Sequence, residues 1–164
     1  MKKNTAPEPQ ADQLVPVDQQ LCFALYSASL AMTKMYKPRL DALGLTYPQY
    51  LVMLSLWEQD TQTVSQIGER LYLDSGTLSP LLKRLEAAGL IRRARATTDE
   101  RRVQVTLTNT GRALKTRALG LPQHALRASG CTLGELTELT ARLHALRRRL
   151  AESPTETAVQ ARAA

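Results

Sequence analysis

Apolar positions recur at helical spacing through most of this chain, and they change to strict alternation near residue 103. Val64, Ile67 and Leu71 share one helical face, and Leu78, Leu81, Leu82 and Leu85 share another. Leu90-Ile91-Arg92-Arg93-Ala94 and Val103-Gln104-Val105-Thr106-Leu107 then read as paired strands, joined by a polar, basic loop over 95–102. Two short amphipathic helices followed by a hairpin predict a helix-turn-helix with a wing. Ser75, Thr77, Ser79, Lys83 and Arg84 lie off the apolar face of the second helix, and small hydroxyls with long cations are what a groove-reading helix presents.

The flanking pattern is helical. Residues 1–16 hold three Pro and two Gln and predict a loose arm. Asp18 is the expected N-cap of the first helix, whose stripe of Leu21, Leu25, Ala28, Met32 and Met35 is interrupted at Pro38. A short separate segment over 39–43 closes on Gly44. Thr46 or Tyr47 caps a helix that is apolar almost all round to Trp57, the expected core helix. Thr63 with Gln66 caps the first helix of the reading pair. Asp74 or Ser75 starts the second, in which Pro80 distorts the opening turn, and Gly89 ends it. Thr108 caps a helix that Gly120 and Pro122 interrupt, and Thr132 with Glu135 opens a last helix bearing Leu133, Leu136, Leu139, Leu143, Leu146 and Leu150. That leucine stripe packs either on its own domain or on a second subunit, and the second is favoured beside an apolar N-terminal helix.

The expected architecture is a mainly α winged-helix homodimer, one integrated domain whose N- and C-terminal helices form the interface. Its regions are an arm over 1–16, N-terminal sensor and dimer helices over 17–62, the winged helix-turn-helix over 63–108, dimerisation helices over 109–151 and a tail over 152–164.

Charge sharpens this picture. The net +7 divides as −1 over residues 1–62, +6 over 63–117 and +2 over 118–164. The basic surplus therefore sits on the proposed reading element, where it can neutralise phosphates. Arg101 and Arg102 at the wing tip are candidates for the minor groove, and Asp99 is close enough in sequence to orient Arg101. No apolar run approaches the ~18–20 residues that span a bilayer, and the basic start leads into a polar segment, so a cytoplasmic protein with no membrane partner is expected. Two cysteines more than a hundred residues apart make neither a secreted disulfide framework nor a metal site. No cofactor is implied.

Cys22 lies on the apolar side of the first helix, where a cysteine is ordinarily a small buried hydrophobe. Its place in the first turn supports a second reading, because unpaired backbone N–H groups there favour a thiolate. Tyr36 and Tyr47 can hydrogen-bond that sulfur if a dimer brings them near.

The segments LCFALYSA at 21–28, YKPRLDALGLTYPQYLVML at 36–54, LYLDSGTLSPLLKRLE at 71–86 and DERRVQVTLT at 99–108 resemble MarR-type winged-helix repressors. The similarity is strongest to the organic hydroperoxide resistance regulators, OhrR, and covers about three-fifths of the chain. The resemblance implies that Cys22 senses peroxide, that Tyr36 and Tyr47 hold its thiolate across the dimer interface, and that the reduced protein represses while the oxidised protein releases DNA. Cys131, just before the leucine helix, looks like the resolving cysteine of the two-cysteine subclass, which would join Cys22 in a disulfide, with the partner subunit supplying it.

The expected function is thus a peroxide-sensing repressor, not an enzyme, that binds palindromic operator DNA and is induced by organic hydroperoxide. An apolar pocket of Phe23, Leu25, Met53 and Leu56 would admit the alkyl group. Three alternatives compete: a repressor answering a small aromatic ligand, a thiol peroxidase, and a non-specific nucleic-acid coat protein.

Overall fold

The computed structural model describes residues 14–96 and 99–153, the side chains of residues 96 and 99–102 excepted. After a 3₁₀ turn at Val17–Gln19 come α1 (Leu21–Asp41), α2 (Tyr47–Glu58), β1 (Gln62–Thr63), α3 (Val64–Leu71), α4 (Ser75–Ala87), β2 (Ile91–Ala96), β3 (Asp99–Leu107), α5 (Asn109–Ala118), α6 (Leu121–Ser129) and α7 (Leu133–Glu152). This is the mainly α winged-helix fold that the pattern predicts. The described residues form two compact units, one ending at Leu121 and one starting at Pro122.

The first unit is built on α2. Its capping box pairs Thr46 with Gln49, Pro48 sits in the first turn, and Tyr50, Val52, Met53, Leu56 and Trp57 are buried. The apolar face of α4 (Leu78, Leu82, Leu85) and Ile67 of α3 pack into the same core. The three strands form an antiparallel sheet in the order β1-β3-β2, with Ile91 opposite Leu107 and Gln62 opposite Val105. Gly111 must be glycine, since a Cβ there would stand 2.0 Å from the Leu90 carbonyl oxygen. On α5, Gly111 O accepts from Trp57 Nε1 at 2.8 Å, while Lys115 Nζ donates to Trp57 O at 3.0 Å. Asp60 accepts from Leu107 N–H, Thr61 N–H and Arg112 Nη2, which fastens the end of α2 to β3 and α5.

Several expectations need correction. Asp18 does not cap α1: Pro16 and Val17 carbonyls accept from Gln19 and Gln20, the chain turns extended at Gln20, and the helix restarts at Leu21. Pro38 does not break α1, which runs on to Asp41. Pro38 and Lys34 both lie on the exposed side, so the Lys34 carbonyl that loses its donor is open to water. The segment over 39–43 is therefore the end of α1 and the turn to Gly44 at φ +69. The expected loop over 95–102 is largely strand, paired out to Ala96 opposite Asp99 with an irregularity after Arg95. The interruption expected at Gly120 and Pro122 is found: α5 ends at Ala118, and Pro122 lies in the first turn of α6, a position that tolerates a missing donor. As expected, α4 is not broken at Pro80.

In the second unit, the Thr132–Glu135 capping box opens α7 as expected. No residue of α7 is buried, and Leu133, Leu139, Leu143 and Leu150 are exposed, Leu133 at 70%.

Candidate functional site

The reading helix α4 is started by Asp74, whose carboxylate accepts from Thr77 N–H and Thr77 Oγ1, both at 2.8 Å. These bonds hold the Asp74 carboxyl below the usual carboxylate range. Ser75, Thr77, Ser79, Lys83 and Arg84 are all exposed on α4, as the spacing predicts. The turn before it is tight. Leu73 N–H donates to Gly68 O, Tyr72 adopts φ +56, and a Cβ on Gly68 would stand 2.9 Å from Leu73 O.

The charge count alone overstates the free cations. Arg93 is bound by Glu86, Arg112 by Asp60 and Arg70 by Glu58. Among the described residues, Lys83, Arg84, Arg92 and Arg95 are exposed without an acidic partner. Arg92 and Arg95 escape the sequence reading, although their place in a basic hairpin is a usable signal. Glu86 escapes too, because nothing local marks its pairing with Arg93. The side chains of Asp99, Arg101 and Arg102 lie outside the described residues, although their backbone belongs to β3.

Cys22 is the second residue of α1 and is exposed; its Sγ donates to Gln20 Oε1 at 3.4 Å. The Gln20 amide is held in turn by Val15 O. Tyr36 and Tyr47 are brought together elsewhere, with ring centroids 5.4 Å apart and Tyr50 beside both. Burial raises the Tyr36 and Tyr47 phenols above their ordinary range and, with the two neighbouring phenols, takes Tyr50 to about 12. All three therefore remain O–H donors near neutrality. Neither the Tyr36 nor the Tyr47 hydroxyl has a hydrogen-bond partner among the described residues.

Within one chain these groups cannot meet Cys22. Fourteen residues of continuous helix separate Cys22 from Tyr36, about 21 Å at 1.5 Å per residue. Between the two, α1 exposes Phe23, Tyr26, Leu30 and Met32. Cys131 is half-buried in the turn before α7, its N–H donating to Ser129 Oγ at 3.2 Å, and both cysteines are free thiols.

The apolar pocket expected from Phe23, Leu25, Met53 and Leu56 is not formed, because Met53 and Leu56 are fully buried in the core. A cavity of about 390 Å³ lies instead between α1 and the start of α2, reaching from Leu30 to Pro48 with Tyr47 in its wall.

Known proteins resemble this chain over most of its length. A family model described as transcriptional regulator SarA/Rot matches residues 34–118. The organic hydroperoxide resistance transcriptional regulator of Bacillus subtilis (strain 168) is 51% identical over 130 residues, 79% of this chain and 88% of that protein. The chain belongs to the OhrR group of MarR-type winged-helix regulators. Among solved structures, reduced AbfR bound to DNA superposes with a TM-score of 0.69 at 36% identity, over 84% of this chain and 96% of that one. Disulfide-formed AbfR superposes with a TM-score of 0.56 at 36% identity, over 82% and 90%; a further AbfR structure gives its source as Staphylococcus epidermidis. This OhrR-type chain is a DNA-binding transcriptional regulator and not an enzyme, which removes the thiol peroxidase alternative. Among the described residues no helix is long and apolar enough to cross a membrane.

Proposed function

We propose that this regulator is a homodimeric repressor that binds palindromic operator DNA while Cys22 is reduced and releases it when an organic hydroperoxide oxidises that sulfur. The observation that carries the reading is the pair Tyr36 and Tyr47: two adjacent phenols held as donors, without an acceptor among the described residues, Tyr36 toward the far end of the helix that bears Cys22 and Tyr47 at the start of α2. Two α1 helices run antiparallel about a two-fold axis would put Cys22 of each subunit against the phenols of the other. The exposed apolar residues of α1 and the leucines of α7 supply surface for such an interface.

The chemistry follows from the thiolate. Its sulfur attacks the terminal peroxide oxygen, the O–O bond breaks, and the departing alkoxide takes a proton to leave as an alcohol, with Cys22 now a sulfenic acid. The Cys131 thiolate of the partner subunit then attacks that sulfur, forming the disulfide and releasing hydroxide, which is protonated to water. A disulfide needs its Cα atoms within ~7 Å, so closing it constrains the interface helices and changes the spacing of the two α4 helices.

Ser75, Thr77, Ser79, Lys83 and Arg84 would enter the major groove, with Arg101, Arg102 and Asp99 at the wing. Mobility shift of a palindromic duplex tests the whole reading. Reduced wild type binds and peroxide-treated wild type releases. Cys22→Ser binds regardless of peroxide; release of Cys22→Ser by peroxide contradicts the sensor role. Cys131→Ser forms sulfenic acid without a covalent dimer on a non-reducing gel, and a surviving covalent dimer contradicts the resolving role.

A further inference from the structure

We infer that Gln20 is a positioning residue for the sensing sulfur: its carboxamide oxygen holds Cys22 as a thiol and restrains its reaction. This rests on the sensor reading above and adds to it a residue of the sensor's own chain that opposes the partner's phenols.

Gln20 stands at the N-cap of α1, with extended backbone between the 3₁₀ turn and the helix. An N-cap side chain ordinarily accepts from the main-chain N–H groups of the first helical turn. That of Gln20 makes no such bond. It is half-buried and bridges two other groups, Nε2 donating to Val15 O at 2.9 Å and Oε1 accepting from Cys22 Sγ at 3.4 Å. The orientation of the amide follows from its neighbours. A main-chain carbonyl only accepts, so Nε2 must face Val15; turned over, the amide would set two oxygens against each other. The 3₁₀ turn that follows Val15 is closed by Gln19 and Gln20 N–H donating to Pro16 O and Val17 O at 3.0 and 3.2 Å.

The sulfur therefore faces an acceptor within its own chain. A thiol can donate to the carboxamide oxygen, whereas a thiolate is repelled by it, so the contact favours S–H. Two sets of donors act against it. The uncapped N–H groups of the first turn favour the thiolate, and in the dimer proposed above the partner's phenols do the same. Asp18, the acidic group of the adjoining turn, is exposed and lies outside this bridge. Gln20 thus occupies the position from which a cap would quiet the first turn, leaves those donors open, and restrains the sulfur instead.

The test uses reduced, full-length protein and follows alkylation of Cys22 by neutral iodoacetamide across the pH range of thiol titration, read on the Cys22 peptide by mass spectrometry. Two substitutions both break the Val15 bond and differ at the sulfur. Gln20→Ala removes the acceptor, so its rate profile moves to lower pH and the rate near neutrality rises about threefold, the effect of one weak hydrogen bond. Gln20→Glu keeps an acceptor and adds negative charge, so its profile moves to higher pH and the reaction slows. A merely structural role, fastening the turn to α1, would move both variants the same way. Opposite shifts in the stated sense support the proposal, and any other outcome overturns it. Oxidation of Cys22 by cumene hydroperoxide is followed on the same three proteins. If the alkylation profiles separate as stated while Cys22 resists peroxide in all three, the sensor reading fails and the Gln20 assignment stands. If peroxide oxidises Cys22 and the alkylation profiles coincide, the Gln20 assignment fails and the sensor reading stands.

Discussion

Glu86 of α4 accepts from the main-chain N–H of Arg93 at 2.9 Å and from Arg93 Nε at 2.8 Å, so a single carboxylate fastens the reading helix to the first strand of the wing. Helix and wing must address DNA together, which makes this joint a determinant of affinity without itself touching a base. Glu86→Gln keeps the shape and loses the charge. It costs about 1 kcal/mol of stability for a half-exposed charged hydrogen-bond pair. Operator affinity should fall with it, measured by titration of a labelled duplex.

Acid sensitivity has the same origin. The side-chain and main-chain donors of Arg93 lower the Glu86 carboxyl from its ordinary value of 4.5. At Asp60, burial pushes the carboxyl up, but hydrogen bonds from Leu107, Arg112 and Thr61 outweigh it and leave the group below 3.8. With native values the lower, both groups contribute in full above their ordinary values, and the contribution is lost as pH falls through the native ones. Urea unfolding as a function of pH should show stability falling below about pH 4.5, with a shallower fall in Glu86→Gln. Equal slopes in the two proteins would contradict the assignment.

Gly111→Ala should be among the most damaging small changes in the chain. The new methyl would stand 2.0 Å from the Leu90 carbonyl oxygen, so β2 and α5 would have to part. A loss of roughly 3 kcal/mol or more is expected, against about 0.5 kcal/mol either way for Gly120→Ala, where a Cβ meets nothing within 4 Å. Chemical denaturation of the two variants checks the contrast.

The paired and unpaired cations should separate in salt. Lys83→Ala should reduce the slope of log affinity against log salt by about one phosphate contact. Arg112→Ala removes an equal formal charge, but that charge is spent on Asp60 at 2.6 Å, so the slope should hold while stability falls. Equal slope changes in the two variants would contradict the division of charge argued above.

What could be read from sequence was whatever is local or periodic. The capping pairs Thr63–Gln66 and Thr132–Glu135 are written three residues apart, and the buried face of α4 follows from Leu78, Leu82 and Leu85. Failures came where a local rule met a neighbour it could not see. Pro38 costs α1 one backbone bond near its end, on a side exposed to water, and the helix continues to Asp41. β1 is two residues long and exists through its pairing with β3, from Gln62 opposite Val105. The expected pocket placed Met53 and Leu56 in a wall, whereas α2 is buried too completely to line one. Cys22, Tyr36 and Tyr47 were legible as residue types and by resemblance, but not as a site, because one chain keeps the sulfur and the phenols about 21 Å apart.

Mixed dimers therefore test the central claim most directly. One chain carries Cys22→Ser with both tyrosines intact; the other keeps Cys22 and carries Tyr36→Phe with Tyr47→Phe, changes that retain the stacked rings. Neither homodimer should show the wild-type rate of Cys22 oxidation by cumene hydroperoxide. Assembly across the interface predicts that the mixed dimer recovers that rate at its single cysteine, which then faces two intact phenols. A mixed dimer as slow as the tyrosine-deficient homodimer would contradict the account.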